Sequence, residues 1–142
     1  MNRKAFTLVE LVVVIAIFLV MLMALTPFVH IAKARKNKID CAANLMKISL
    51  GLHSYAAEHD GAFPVKLGDL YPNYLSDEKA FDGPSAKVVG TKEKPDYVYT
   101  AGLTELAGPK EIIAQDTDGN HKRHGKNIVR VNGSIEWIGT SR

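Results

Sequence analysis

The sequence predicts an α+β protein in which one long N-terminal helix packs on a small antiparallel C-terminal sheet. Residues 11–25 form an almost unbroken apolar run, and residues 41–55 carry apolar side chains at helical spacing. The last third contains short β-branched and aromatic segments separated by turn residues. The first two features indicate one helix from Phe6 to about Glu58, with a transmembrane half followed by an amphipathic half.

The stretch Phe6–Val29, which contains this run, is long enough to cross a membrane, because about 20 apolar residues at roughly 1.5 Å each span the ~30 Å hydrocarbon core. Glu10 lies near its start. An acidic group inside lipid costs roughly 2.5–3.5 kcal/mol, so Glu10 is a functional candidate, the alternative being that it only extends to the headgroups. Pro27 follows the run, and a proline inside a helix predicts a bend.

The second half of the helix is predicted to bury one narrow face. Its apolar residues recur at spacings of four, three, four and three: Cys41, Leu45, Ile48, Leu52 and Tyr55. Lys47, Ser49 and Glu58 are expected to lie off this face. The helix is predicted to end at His59-Asp60-Gly61, where Gly61 can adopt the left-handed conformation of a helix cap and Pro64 prevents continuation.

Four short strands are predicted after a helical turn or loop at 67–75, and a polar connection occupies 85–95. The strands cover 97–100, 111–115, 128–131 and 134–138. Asn132-Gly133 separates the last two and is the strongest hairpin signal in the chain. It predicts a type I′ turn, which needs positive φ at both central residues.

The composition fits one modest domain plus an anchor, with 142 residues, 46% of them hydrophobic and 23% charged. The formal net charge of +3 is too weak to indicate a nucleic-acid partner. Cys41 is the single cysteine, so no intrachain disulfide can form. At an apolar helical position it is expected to be a small buried side chain.

The block Phe6-Thr-Leu-Val-Glu10, with Lys4-Ala5 before it and a β-branched apolar run after it, resembles the N-terminal signature of type IV pilins and type II secretion pseudopilins. The resemblance implies cleavage between Ala5 and Phe6, N-methylation of Phe6 and a role for Glu10 in assembly. The residue before the cut is usually Gly in that family, and here it is Ala5. The implied partners are a prepilin peptidase/methyltransferase, other pilin-like subunits and an inner-membrane assembly platform.

This resemblance implies a pilin-like organisation: a leader at 1–5, a transmembrane and filament-core helix at 6–29, an amphipathic helix at 30–60, and a small antiparallel sheet with loops at 61–142. It also implies a single-pass protein of the bacterial inner membrane, with a cytoplasmic N-terminus and a periplasmic or extracellular body. The flanking charges favour the opposite orientation, because Arg3 and Lys4 precede the span and four basic residues follow it: Lys33, Arg35, Lys36 and Lys38. The motif is the more specific indication.

The C-terminal half is similar to a branch of prepilin-like proteins with a processing-associated motif. That motif consists of a His, a spacer and an Asp-Gly turn before the last strand. It corresponds here to His124, Asn127, Asn132 and Gly133, with Asn132 in place of the Asp.

The loop after the second predicted strand is a candidate calcium site. Oxygen-bearing residues spaced by two, with Gly119 permitting a sharp turn, resemble the opening of a calcium loop: Asp116, Asp118 and Asn120. Asn127 stands where the loop's bidentate Glu is expected. The alternatives are a solvated turn, or zinc held by His121 and His124 with the two acids. No other cofactor is predicted.

These observations predict a non-enzymatic structural subunit, processed by a prepilin peptidase and assembled into a type II secretion pseudopilus or type IV pilus-like filament. The alternative is an uncleaved, single-pass membrane-anchored binding module outside the cytoplasm that holds calcium or another ligand. A hydrolase that pairs Ser134 or Ser85 with a His is a remote third interpretation, since no nucleophile motif supports it.

Overall fold

The computed structural model describes residues 6–86, 88–121 and 125–139, with the backbone alone at 26–28. Its elements in chain order are α1 (Leu8–Glu58), two short 3-10 helices (Leu67–Leu70 and Glu78–Phe81), β1 (Tyr97–Tyr99), β2 (Ile112–Asp116), β3 (Lys126–Arg130) and β4 (Ile135–Ile138). A long helix followed by a small antiparallel sheet confirms the predicted α+β class. The chain divides into two compact units, residues 1–35 and 36–142.

The first unit exposes its apolar run. The large hydrophobic side chains from Leu8 to Leu25 are 46–78% exposed. Within the described part of the chain, α1 is the one helix long and apolar enough to cross a membrane. An α-helix satisfies its own backbone hydrogen bonds, so this surface is suited to lipid or to other apolar helices.

The second unit has its own core, to which the amphipathic half of α1 contributes the predicted face. Cys41, Leu45, Ile48 and Leu52 are at most 1% exposed. The α1 side chains of this core belong to one buried cluster with residues of the first three strands: Tyr97, Ile113, Ala114 and Val129.

Ser49 was expected to lie off the buried face, but it is only 5% exposed, so that prediction is wrong. The buried face is wider than the spacing pattern indicated, because Ser49 is four residues after Leu45 and three before Leu52. Ser49 Oγ would lie 3.7 Å from a Cβ built on Gly133. The hairpin turn therefore approaches the helix closely at a position without a side chain.

The helix ends as predicted. Gly61 has a φ of 79°, and its N–H donates to the carbonyl of Ala56 at 2.9 Å. Asp60 is also left-handed, with a φ of 53°. The bond from Gly61 spans five residues and closes a Schellman-type cap. After this turn the chain continues to Phe63, which is buried.

The four strands form one antiparallel sheet in the order β1-β2-β3-β4. All four predicted strands are present, each within two residues of its predicted bounds. The helical turn predicted at 67–75 is the 3-10 helix Leu67–Leu70. The 3-10 helix Glu78–Phe81 was not predicted. Asp77 caps it by accepting the Lys79 N–H at 3.0 Å, and Phe81 is fully buried.

The β3–β4 hairpin is confirmed, but the predicted type I′ turn is wrong. Gly133 has a φ of 80°, whereas Asn132 does not have a positive φ. The N–H of Gly133 donates to the carbonyl of Arg130 at 2.8 Å, and the N–H of Arg130 donates to the carbonyl of Ser134 at 3.0 Å. This is a three-residue loop that ends in a left-handed glycine. Its first residue, Val131, is 4% exposed, so the loop also supplies a side chain to the core.

Candidate functional site

A reciprocal hydrogen-bonded cap between Thr7 and Glu10 closes the N-terminus of α1. The N–H of Glu10 donates to Thr7 Oγ1 at 3.2 Å. The N–H and the hydroxyl of Thr7 donate to Glu10 Oε2 at 2.9 and 3.0 Å. Thr7 precedes the first helical residue and Glu10 is the third helical residue, so this is a capping box. Phe6 lies directly before the cap and is 73% exposed.

The cap gives Glu10 a role that the sequence analysis missed. The signal was present, because a Thr followed three residues later by a Glu before an apolar run is typical of a helix start. Hydrogen bonds within the same helix end reduce the cost of carrying an acid into apolar surroundings. Both bonds from Thr7 end on Oε2, and no described residue donates to Oε1.

Two other predictions for the N-terminal region concern Ala5 and Pro27. Ala5 lies outside the described residues, so cleavage between Ala5 and Phe6 stays a prediction. Pro27 lies within α1, whose backbone is helical there. The bend at Pro27 stays a prediction.

At one end of the sheet, the strand register brings together one side chain from each strand. Tyr97 on β1 is opposite Asp116 on β2, and Asn127 on β3 is opposite Trp137 on β4. The side-chain amide of Asn127 also donates to the carbonyl of Lys38 at 3.2 Å, and Lys38 Nζ lies 3.8 Å from the centre of the Trp137 ring. Through Asn127 and Trp137, this row of four side chains, one on each strand, therefore contacts α1.

Asp116 is fully buried in this row. The backbone and side-chain amides of Asn127 both donate to Asp116 Oδ2, at 2.7 and 2.9 Å. His121 places Nε2 3.0 Å from the same oxygen, and its side chain is 5% exposed. One candidate ligand atom from each of Cys41, Asp116 and His121 lies within 4.8 Å of the other two. These three residues are called the Asp116 cluster below.

Burial, together with the charge of Asp116, raises the pKa of the Cys41 thiol to about 12. The neighbouring Tyr97 hydroxyl and Ser85 backbone lower the pKa of the thiol, but they do not cancel this rise. Burial likewise raises the pKa of Tyr97. Cys41 is therefore a thiol near neutral pH, not the thiolate that a nucleophilic cysteine needs.

The His121 ring lies between Ser85 and Asp116, as a catalytic base lies between a nucleophile and an orienting acid. Ser85 Oγ is 3.5 Å from His121 Nδ1, which is a long contact. Although His121 Nε2 is close to Asp116, it forms no hydrogen bond there. These contacts lack the continuous hydrogen bonding of a catalytic triad. Ser134 Oγ is buried without a hydrogen-bond partner, and His124 lies outside the described residues.

The three predicted calcium ligands occupy different environments. Asp116 is buried and is bonded to Asn127. The side chain of Asp118 is 89% exposed and pairs with Lys126 Nζ at 3.0 Å. Asn120 closes the turn, its N–H donating to the carbonyl of Thr117 at 3.2 Å. A calcium ion held by Asp116, Asp118 and Asn120 stays a prediction.

The N-terminal segment that contains the cap matches a known motif. Residues 1–26 match the family model described as the prokaryotic N-terminal methylation motif. The matched segment includes Phe6, Glu10 and the whole apolar run of residues 11–25. No curated protein and no solved structure matches the chain.

The methylation motif fits a prepilin-like subunit of pili or pseudopili. It implies processing by a prepilin peptidase and assembly with other pilin-like subunits. Together with the apolar helix, it suggests a single-pass anchor in the inner membrane and a structural subunit rather than an enzyme.

Proposed function

We propose that the chain is a structural subunit of a type II secretion pseudopilus or a type IV pilus-like filament. A prepilin peptidase/methyltransferase cleaves between Ala5 and Phe6 and methylates the new amine of Phe6. An inner-membrane platform then assembles the subunit with other pilin-like subunits. The observation that carries the proposal is the methylation motif at residues 1–26, joined directly to an exposed apolar helix.

Before assembly, the subunit is proposed to cross the bacterial inner membrane once. Its N-terminus is proposed to lie in the cytoplasm, and residues 36–142, called the body below, on the other side. The division into two units supports this arrangement, because the body has its own buried core, whereas the described side chains of the first unit contribute none. The exposed apolar surface from Leu8 to Leu25 is what lipid covers before assembly and what neighbouring helices cover afterwards.

Glu10 is the residue proposed to direct assembly. Cleavage creates an ammonium group at Phe6. Because Oε2 of Glu10 already accepts both bonds from Thr7, Oε1 is the oxygen left for the ammonium of a neighbouring subunit. Apolar surroundings strengthen such a pair and make an unpaired charge costly. Pairing therefore sets the register while the apolar helices pack.

The body carries a second apolar face suited to neighbouring subunits. Ile39, Met46 and Leu50 on α1 are 58–66% exposed. Their spacings of seven and four place them on one side of the helix, away from the face that enters the core. In a filament, this face extends the contacts between helices beyond the membrane segment.

The C-terminal motif residues that the structure describes are proposed to be structural. Asn127 joins β3 to Asp116 and to α1. Asn132 Oδ1 accepts the N–H of Ser134 at 3.0 Å, which fixes the hairpin loop next to Gly133. The proposed role of these motif residues is therefore to hold the β3–β4 hairpin against α1.

Substitution of Ala5 tests the proposed processing. Ala5→Gly is expected to be cleaved at least as fast as the native chain, because it introduces the residue usual in the pilin signature. Ala5→Trp is expected to remain uncleaved, because a bulky ring replaces a side chain at a position where small residues occur. Intact mass after co-expression with a prepilin peptidase measures the cleaved fraction of each.

A peptidase preparation that cuts a control prepilin shows whether the enzyme is active. If that preparation leaves the native chain whole, the proposal is contradicted and the uncleaved anchored binding module is favoured. Equal cleavage of Ala5→Trp and the native chain contradicts the assigned cleavage position.

A further inference from the structure

We propose that Cys41, Asp116 and His121 bind a divalent transition-metal cation of the zinc type. The proposal does not depend on filament assembly, because all three residues belong to the second unit. They come from three places that the fold brings together: the buried face of α1, the last residue of β2 and the loop after β2.

The three side chains offer the donor atoms that zinc prefers, one sulfur, one imidazole nitrogen and one carboxylate oxygen. These atoms lie within 4.8 Å of one another. The ligand atoms of a tetrahedral zinc site lie roughly 3.3–3.6 Å apart, as its bond lengths of about 2.0–2.3 Å require. Closing the cluster around an ion therefore needs side-chain shifts of about 1 Å.

Two buried polar atoms of the cluster lack the hydrogen bonds that such atoms normally make. Asp116 is 0% exposed, and its Oδ1 has no hydrogen-bond partner. His121 Nε2 is also buried without one, although it lies 3.0 Å from Asp116 Oδ2. A close approach that is not aligned for a hydrogen bond is expected where both atoms direct lone pairs at a common cation.

The neighbouring contacts resemble the outer shell of a metal site. A histidine that binds a metal usually donates its other ring N–H to an acceptor, and His121 Nδ1 lies 3.5 Å from Ser85 Oγ. The ligating carboxylate is usually hydrogen-bonded as well, and Asn127 donates twice to Asp116 Oδ2.

The donor set distinguishes this site from the predicted calcium loop. Calcium prefers oxygen ligands, whereas thiolate and imidazole favour zinc and similar metals. The Cys41 thiol would become a thiolate ligand when the ion displaces its proton to solvent. Asp118 is not needed, since its side chain is 89% exposed and pairs with Lys126. A bound ion would join α1 to the end of the sheet in a chain whose single cysteine cannot form an intrachain disulfide.

Cobalt(II) provides a direct probe of the site. The full chain is purified in detergent, treated with a chelator and titrated with Co²⁺ at neutral pH. We expect one Co²⁺ per chain and a sulfur-to-cobalt charge-transfer absorption band. Because Cys41 is the only cysteine, any such band reports that residue. Added Zn²⁺ is expected to remove the band and to raise the melting temperature of the body by several degrees.

Substitutions assign the ligands. Cys41→Ala and His121→Gln are expected to abolish the absorption band and the stabilisation by Zn²⁺. Asp118→Asn and His53→Gln are the matched controls, since Asp118 is exposed and the half-buried His53 pairs with Glu105 rather than with the Asp116 cluster. Both variants are expected to keep both effects. A cooperative urea unfolding transition, followed by the fluorescence of the single tryptophan, Trp137, shows whether each variant is folded.

Two results overturn the proposal. One is a folded native chain that shows no charge-transfer band at saturating Co²⁺. The other is stabilisation by Zn²⁺ that persists in folded Cys41→Ala and His121→Gln, because that result places the ion on surface groups.

Discussion

Glu10→Leu is expected to leave the subunit in the membrane and to abolish its assembly into filaments. Leucine suits lipid better than a carboxylate does, so insertion is retained. The ammonium of a neighbouring Phe6 then has no partner in the filament core. Removing one member of a buried ion pair costs about 3–5 kcal/mol. Since about 1.4 kcal/mol is a factor of ten, each such contact weakens by roughly 100-fold or more.

Two further substitutions separate the charge of Glu10 from its capping role. Glu10→Gln can keep the capping box, because Gln also serves at the third helical position, but it removes the charge. Thr7→Ala removes the capping hydroxyl and keeps the carboxylate, at a cost of about 0.5–2 kcal/mol to the helix end. We expect Glu10→Gln to fail in assembly and Thr7→Ala to assemble.

Fractionation of membranes and electron microscopy of sheared filaments measure the two outcomes. Normal filaments from Glu10→Leu contradict the pairing account. If Glu10→Gln assembles and Thr7→Ala does not, the helix cap rather than the charge of Glu10 is required for assembly.

Leu52→Ala is expected to destabilise the body by about 2–5 kcal/mol, the range for deleting a buried leucine side chain. Leu52 is 1% exposed and lies on the α1 face that enters the core. Leu50→Ala makes the same chemical change on the same helix, but Leu50 is 63% exposed. We expect Leu50→Ala to alter the free energy of unfolding by less than about 0.5 kcal/mol.

Urea unfolding of the full chain in detergent, followed by Trp137 fluorescence, measures both variants. Because Trp137 lies on β4, its signal reports the body rather than the membrane helix. The midpoint should fall for Leu52→Ala with little change in slope. Equal destabilisation by the two variants would contradict the assignment of the buried face.

The local signals in this chain predicted its elements well. Apolar residues at helical spacing identified the face that includes Cys41 and Leu52, and Gly61 identified the helix end. The wrong turn type at Asn132-Gly133 shows the limit of a dipeptide signal. Burial of Val131 in the core favours a three-residue loop, and that tertiary contact is not visible in the turn sequence.

The Asp116 cluster could not be assembled from the sequence, because Cys41 lies far along the chain from Asp116 and His121. Cys41 was predicted to be a buried apolar residue, and Asp116 and His121 were considered only as parts of a local loop. The strand register and the packing of α1 bring them together. Sequence spacing predicts a ligand set only when the ligands are neighbours in the chain.

The most direct test of the central claim is the intact mass and N-terminal sequence of the protein from membranes of its native host. The account predicts a chain that begins at Phe6 and is about 14 Da heavier than the unmodified sequence from that residue, the mass of one added methyl group. A chain that still begins at Met1 would contradict prepilin processing and support an uncleaved membrane anchor.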